Sequence, residues 1–185
     1  MRWTRRTLGL GVLLLLCHPL WAADANEFAP KNGMFTIVIP AGEHAARRTV
    51  LTIGAHKVPV EAEESKADDG STFRGASIGI PATVMRDVPA EERFAILGDA
   101  IAKAMAGKMG DQKDIAQNTV PGKEFQVQTK DGMARVQLYT VAGFVIYAVV
   151  EGKKQEDIAG KDADTFFASL KLTDKAKAVF AKVKR

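Results

Sequence analysis

The sequence predicts an α+β fold in which a central antiparallel sheet is sandwiched by helices. Three observations carry that expectation. Short runs rich in Val, Ile, Thr and Phe recur between Gly, Pro and Asp turn residues, the pattern of successive strands. One segment, between Pro89 and Gly110, switches to a helical period. The run Phe144-Val145-Ile146-Tyr147-Ala148-Val149-Val150 is apolar on both faces, so it belongs at the centre of a sheet with cover above and below.

Taken in order, a short polar lead from Asn26 to Gly33 precedes Phe35-Thr36-Ile37-Val38-Ile39, which alternates and stops at Pro40. Proline removes a ladder donor and ends a strand. Arg48 to Ile53 and Lys57 to Ser65 flank Gly54 and read as two half-exposed antiparallel strands. Glu61 and Glu63 share one face there, and Val60 and Ala62 the other. Asp68-Asp69-Gly70 is a turn, and Ser71 to Ile80 is the next strand, closed by Pro81. Pro89 fits the first position of a helix with Glu91 and Glu92 in its first turn. Phe94, Leu97, Ile101, Met105 and Met109 form its apolar stripe, about five turns long, with Gly110 as the stop. Ile115 to Val120 and Glu124 to Thr129 flank Pro121-Gly122. Asp131-Gly132 then turns into Ala134 to Val141, and Ala142-Gly143 turns into the apolar strand. Arg135 and Gln137 give that strand's neighbour a wetter face. A second helix, about Asp162 to Ser169, directs Phe166, Phe167 and Leu170 at the sheet. Residues 26–172 form one domain, with no repeat or linker to divide them.

The N-terminal 25 residues have the form of a cleavable export signal. Arg2, Arg5 and Arg6 precede a short apolar core from Leu8 to Leu16, and the segment ends in Ala23-Asp24-Ala25, an A-x-A cleavage site. The core is too short for a span of about 20 residues. Thr4-Arg5-Arg6-Thr7-Leu8 loosely resembles a twin-arginine signal, and Leu16 before Cys17 is too large for a lipobox. Removing residues 1–25 from the 185 leaves 160, enough for a sizeable core. Cleavage also removes the one cysteine and both tryptophans. It takes three of the 26 basic residues and one of the 22 acidic ones, leaving 23 against 21. The charges are interspersed, which argues against a nucleic-acid partner. The expected location is the periplasm or cell envelope, and the expected state a monomer.

The order of features resembles the PsbP-like family, named after an extrinsic subunit of photosystem II and widespread among exported bacterial proteins. The matching residues are Met34-Phe35-Thr36-Ile37-Val38-Ile39-Pro40, Pro121-Gly122-Lys123-Glu124-Phe125, Gly143-Phe144-Val145-Ile146-Tyr147 and Phe166-Phe167-Ala168-Ser169-Leu170-Lys171-Leu172. The resemblance spans about Phe35 to Leu172. It implies an antiparallel sheet between helices and a non-catalytic binding or assembly role through a protein or small-ligand surface. No cofactor is carried over with it.

The candidates for chemistry are few. Gly75-Ala76-Ser77-Ile78-Gly79 matches G-x-S-x-G, yet Ser77 lies in a strand pattern and no histidine follows it. A nucleophile elbow needs a strand-to-helix turn and a later histidine. The expected reading is a glycine-relieved strand with a bulge or close packing. His44 in a turn and His56 beside a hairpin turn could join Glu43, Glu61 or Glu63 at a metal, but neither histidine has a ligand at a diagnostic spacing. A hydrolase or metal-dependent enzyme using His44 or His56 with Ser77 or with Glu61 and Glu63 is therefore the alternative. The expectation is no catalytic set and no metal. Residues 173–185 form a basic amphipathic tail, with Ala176, Val179, Phe180 and Val183 on one face and Lys175, Lys177, Lys182, Lys184 and Arg185 around the rest. Such a tail either docks on the domain or touches an anionic membrane surface.

Overall fold

The computed structural model describes residues 26–85 and 88–183. Their strands are β1 (Asn26–Phe28), β2 (Phe35–Ile39), β3 (Glu43–Ile53), β4 (His56–Lys66), β5 (Thr72–Gly79), β6 (Lys108–Gln117), β7 (Val120–Gln128), β8 (Met133–Val141), β9 (Phe144–Gly152) and β10 (Lys171–Leu172). The helices are α1 (Ala82–Met85), α2 (Ala90–Ala104), α3 (Gln155–Ala159), α4 (Lys161–Ser169) and α5 (Asp174–Val183). Seven strands form one antiparallel sheet in the order β3-β4-β5-β9-β8-β7-β6, and β1-β2-β10 form a second, smaller one. The segment read as an export signal lies outside the described residues.

β9 is the middle strand of the large sheet. Its residues Val145 to Val150 are all buried, as its two apolar faces require. One face of the sheet carries α2, whose Leu97, Ala100 and Ile101 meet Val60, Ala76, Val127 and Tyr147. Each large side chain buried there stabilises the fold by about 1.5–3 kcal/mol relative to exposure. The opposite face carries β2, where Phe35, Ile37 and Ile39 point inward on alternate residues, together with Ile158 of α3, Phe166 of α4 and Ala176 of α5. The second cover is thus a mixed layer built around a small sheet, and the expected sandwich between helices is corrected on that side. Phe35-Thr36-Ile37-Val38-Ile39 alternates like any half-buried strand, so its sequence does not reveal that its partners are β1 and β10. Ser169 Oγ accepts from the Val38 N–H at 3.0 Å and donates to the Phe166 carbonyl at 2.7 Å, tying α4 to β2.

Several boundaries differ from the sequence reading. Pro89 is the N-cap of α2, with φ −53° and ψ 144°, one residue before the helix. The helix stops at Ala104, short of Met109. Ala106 takes φ +52°, its N–H donates to the Lys103 carbonyl at 2.9 Å, and the Gly107 N–H donates to Ala102 at 2.9 Å. This is a Schellman closure with alanine in the left-handed position. Met109 falls on β6 and, half-buried, still packs against the core below α2, so the stripe picks a packing residue for the wrong element. The turn expected at Pro121-Gly122 is at Asn118 and Thr119, with φ +49° and +71°, linking Gln117 to Val120. Pro121 and Gly122 lie inside β7. A Cβ at Gly122 would meet the Tyr139 ring at 2.6 Å and the Leu138 carbonyl oxygen at 2.7 Å, so this glycine makes room for a packed tyrosine. β3 begins at Glu43, and His44 is therefore in a strand rather than a turn.

The tail docks. Ala176 is fully buried, and Val179 and Phe180 pack against the second core. The Ala176 N–H donates to Thr173 Oγ1 at 3.3 Å, capping α5, and Lys175 Nζ donates to the Asn32 carbonyl at 2.7 Å. Lys184 and Arg185 lie outside the described residues.

Candidate functional site

The loop from Ala29 to Met34 turns at Gly33, whose N–H donates to the Pro30 carbonyl at 2.7 Å. Asn32 Oδ1 accepts from the Met34 N–H at 3.2 Å, and Asn32 Nδ2 donates to Ser77 Oγ at 2.8 Å. This loop and Phe28 form one wall of a cleft of about 580 Å³. The other wall is the outer surface of β3 and β4, with Ala46, Arg48, Glu61 and Glu63 facing it. Arg48 Nε donates to Glu61 Oε1 at 3.1 Å across the ladder. Both side chains are exposed, at 84% and 62%, so the pair contributes little to stability.

The structure therefore brings Ser77, Glu61 and Glu63 to one cleft but leaves the histidines elsewhere. His44 pairs with Ser65 at one end of the β3–β4 hairpin and His56 with Ile53 at the other. Nine strand residues between them amount to roughly 30 Å. Both are exposed. Ser77 sits in β5 with unbroken pairing from Thr72 to Gly79, not on a strand-to-helix turn. Gly75 is explained by packing: a Cβ there would lie 3.1 Å from Ile37 Cγ2. The close-approach reading of the G-x-S-x-G stretch holds, and no bulge is present. Among the described residues no group of three or more His, Cys, Asp or Glu could hold a metal ion. Asp68-Asp69-Gly70 is a turn, with Asp69 Oδ1 accepting from the Ser71 N–H at 2.8 Å.

A second cavity, of about 270 Å³, lies on the opposite face where α2 ends. Sequence reasoning named Ile101, Met105 and Tyr147 as core residues but missed the charged ones. Arg74 of β5 is 7% exposed and is held by Glu64 and Glu151. Its Nε donates to Glu64 Oε2 at 2.8 Å, Nη2 lies 2.7 Å from the same oxygen, and Nη1 lies 2.8 Å from Glu151 Oε1. Burial alone lowers the proton affinity of the guanidinium, but Glu151 and Glu64 outweigh it and the net shift is upward. Arg47 stands at the rim, 3.6 Å from Glu64. Tyr147 is buried beside them. Burial pushes its phenol up to about 12 against the pull of Arg74 and Arg47. A mid-strand arginine such as Arg74 reads in sequence as one more exposed charge. Only the register Arg74↔Val149 and Glu64↔Arg74 brings the partners together.

No family model and no curated protein matches the sequence. Among solved structures, the chain is similar to the solution structure of cyanobacterial PsbP (CyanoP) from Synechocystis sp. PCC 6803. The TM-score is 0.54 at 13% identity, covering 86% of this chain and 99% of that one. A crystal structure of the Pseudomonas aeruginosa protein PA94 matches at TM-score 0.39 and 12% identity, over 79% of this chain and 94% of that one. The likeness to CyanoP is one of fold, and it agrees with the order of strands and helices described above: the chain has a PsbP-like fold.

Proposed function

We propose that this chain is an exported, monomeric, non-enzymatic accessory domain that engages a protein partner along the β3 edge and the adjoining cleft. The observation that carries the reading is the uncovered hairpin itself. Residues 43–48 of β3 are all exposed, and Val50, at 48%, stands on the outer face with Arg48 and Glu61. β3 is also the terminal strand of its sheet, with backbone groups available for a further strand. Export rests on the basic, apolar and A-x-A segments of residues 1–25. The PsbP-like fold supports an accessory role by analogy.

The test is site-specific photo-cross-linking in the cell envelope. A cross-linker at Val50 is expected to give a discrete protein adduct, and one at the exposed Lys113 of β6 is expected to give none. Equal adducts at both positions, or none at Val50, would overturn the reading. So would a hydrolytic turnover that is lost in Ser77→Ala.

A further inference from the structure

The β3–β4 hairpin fixes which backbone groups of the β3 edge are free. Ile53 and His56 face each other across the two-residue turn of Gly54, at φ +58°, and Ala55. The pair that closes such a hairpin exchanges both backbone hydrogen bonds. Counting back from it, Ile53, Leu51, Thr49, Arg47 and Ala45 turn their N–H and C=O groups toward β4. Thr52, Val50, Arg48, Ala46 and His44 turn theirs away. Pro59 checks this phase independently. It lies opposite Val50 and has no N–H, which suits only a pair that exchanges no bonds. The pairing of β4 with β5 begins at Ala62, so Pro59 costs no bond on its other side either. β3 itself carries no proline, and its register with β4 is unbroken from Glu43 to Ile53. Its outer side is a regular row of free donors and acceptors.

The same alternation divides the side chains. Leu51 and Ile53 are buried against α2, so Arg47 and Thr49 share that face, and Arg48 and Val50 stand on the other. Midway along the strand two successive arginines thus point to opposite faces, 56% and 84% exposed. Their acidic neighbours, Glu64 and Glu61, belong to β4, one strand further in. Arg47 lies 3.6 Å from a Glu64 oxygen that Arg74 already holds at 2.7 Å, so Arg47 is the less committed of those two cations. A strand added outside β3 would lie about 4.8 Å from the arginine column and about 10 Å from the glutamates. The second distance exceeds the screening length of about 8 Å at physiological salt. The arginines decide the charge that such a strand meets.

Charge also rules against a second copy in this place. Pairing the whole of β3 antiparallel with itself centres on Arg48, and like charges directly opposite are destabilising. A strand with acids at its middle finds partners at the same positions.

We propose, building on the assignment of a protein partner to this edge, that the partner contributes an extended acidic segment as an eighth strand. Its main chain bonds to the outward groups of β3. Two successive acidic residues lie opposite Arg47 and Arg48, and a β-branched apolar residue lies opposite Val50. Main-chain bonds supply affinity in such strand addition, and side chains on alternate faces supply specificity.

The experiment is an NMR titration of the purified protein with three acetylated and amidated peptides. They are Thr-Val-Thr-Glu-Glu-Thr-Val-Thr and its counterparts with Gln-Gln or Lys-Lys at the centre. The sequence reads the same from either end, so it presents a valine to Val50 in either strand direction. The acidic peptide is expected to bind saturably at millimolar concentration or below, the Gln-Gln peptide about tenfold more weakly, and the Lys-Lys peptide not at all. Amide exchange is expected to slow at Ala46, Arg48 and Val50 and to stay unchanged at Arg47 and Thr49. Val50→Pro removes an outward N–H and leaves the β4 ladder whole, and acidic-peptide binding is expected to be lost in it. Methylating alternate nitrogens of the peptide tests the same bonds without altering the protein; one alternate set is expected to abolish binding and the other to spare it. No saturable binding of the acidic peptide, equal binding of the Lys-Lys peptide, or slowed exchange at Arg47 and Thr49 as well would each overturn the proposal. A discrete Val50 cross-link in the envelope without acidic-peptide binding would sink this inference and leave the protein-partner reading standing. Peptide binding without that cross-link would support the strand site and sink the reading of a partner in the envelope.

Discussion

The two edges of the seven-stranded sheet are finished in opposite ways. At the β6 edge the strand is broken by a register shift between Met109 and Gln112, a device that spoils an edge as a template for further pairing. The end of that strand is also tied down. Gln117 Nε2 donates to the Leu170 carbonyl, and its Oε1 accepts from the Leu172 N–H at 2.7 Å, so one side chain stitches β6 to β10. At the β3 edge eleven residues pair regularly with β4, and nothing among the described residues covers their outer side. Of the β3 residues only Leu51 and Ile53 are buried, against α2, beside Val58, Val60 and Ala62 of β4. One edge is built to hold the domain together, whereas the other is held by one face alone. This division is why we propose β3 as the binding edge.

The largest test of that contrast compares Phe125 with Val50. Phe125 of β7 is 2% exposed, and Phe125→Ala should lower unfolding stability by about 3–5 kcal/mol. Val50→Ala should stay within about 0.5 kcal/mol. Urea unfolding of both variants checks this, and similar losses would abolish the distinction between the edges.

A smaller effect separates the two tyrosines. Burial, assisted by Glu124, pushes Tyr139 up to about 12, and burial pushes Tyr147 to about 12 as well. The unfolded phenols titrate near 10. Between these values the folded state keeps protons that the unfolded state has released, so stability falls as pH rises. The contribution is fully present below about pH 10 and lost through about pH 12, at most about 2–3 kcal/mol for each ring. Phenolate absorbance during alkaline titration should show no step near pH 10 until the protein unfolds. A one-ring step there would identify a tyrosine in contact with solvent.

The smallest change is a gain on the closed side. Thr119 holds φ +71°, a left-handed conformation that costs a β-branched residue about 1–2 kcal/mol. Thr119→Gly should recover a net 0.5–1 kcal/mol or so after the glycine's greater unfolded entropy, read as a higher melting temperature.

Much of the architecture is legible in the chain because its signals are local. The two-sided apolar run of β9, the alternation of β2, the Asp68-Asp69-Gly70 turn and the Phe166-Phe167 helix each depend on neighbours a few residues away. The turn at Asn118 and Thr119 is not legible. A two-residue hairpin with positive φ at both positions normally contains glycine, and the nearby Pro121-Gly122 offers a stronger but misleading turn signal. The α2 stripe runs on to Met109 for a similar reason: a methionine below the helix keeps the helical spacing after the helix has ended. Of the candidate residues, Ser77, Glu61 and Glu63 do share a cleft, whereas His44 and His56 lie at opposite ends of one hairpin. The meeting of Arg74 with Glu151 and Tyr147 is invisible in sequence because it depends on the register of β5 with β9.

The small sheet bears on the order in which the protein can mature. β2 pairs with β1 on one side and with β10 on the other, through Lys171↔Thr36 and Leu172↔Phe35. An early strand thus waits for nearly the last residues of the domain. A chain delivered N-terminus first, from a ribosome or through a membrane pore, cannot close the core around Phe35 and Phe166 until Leu172 has emerged. Such long-range closure is intrinsically slow, and it leaves the unfinished chain loose enough to thread.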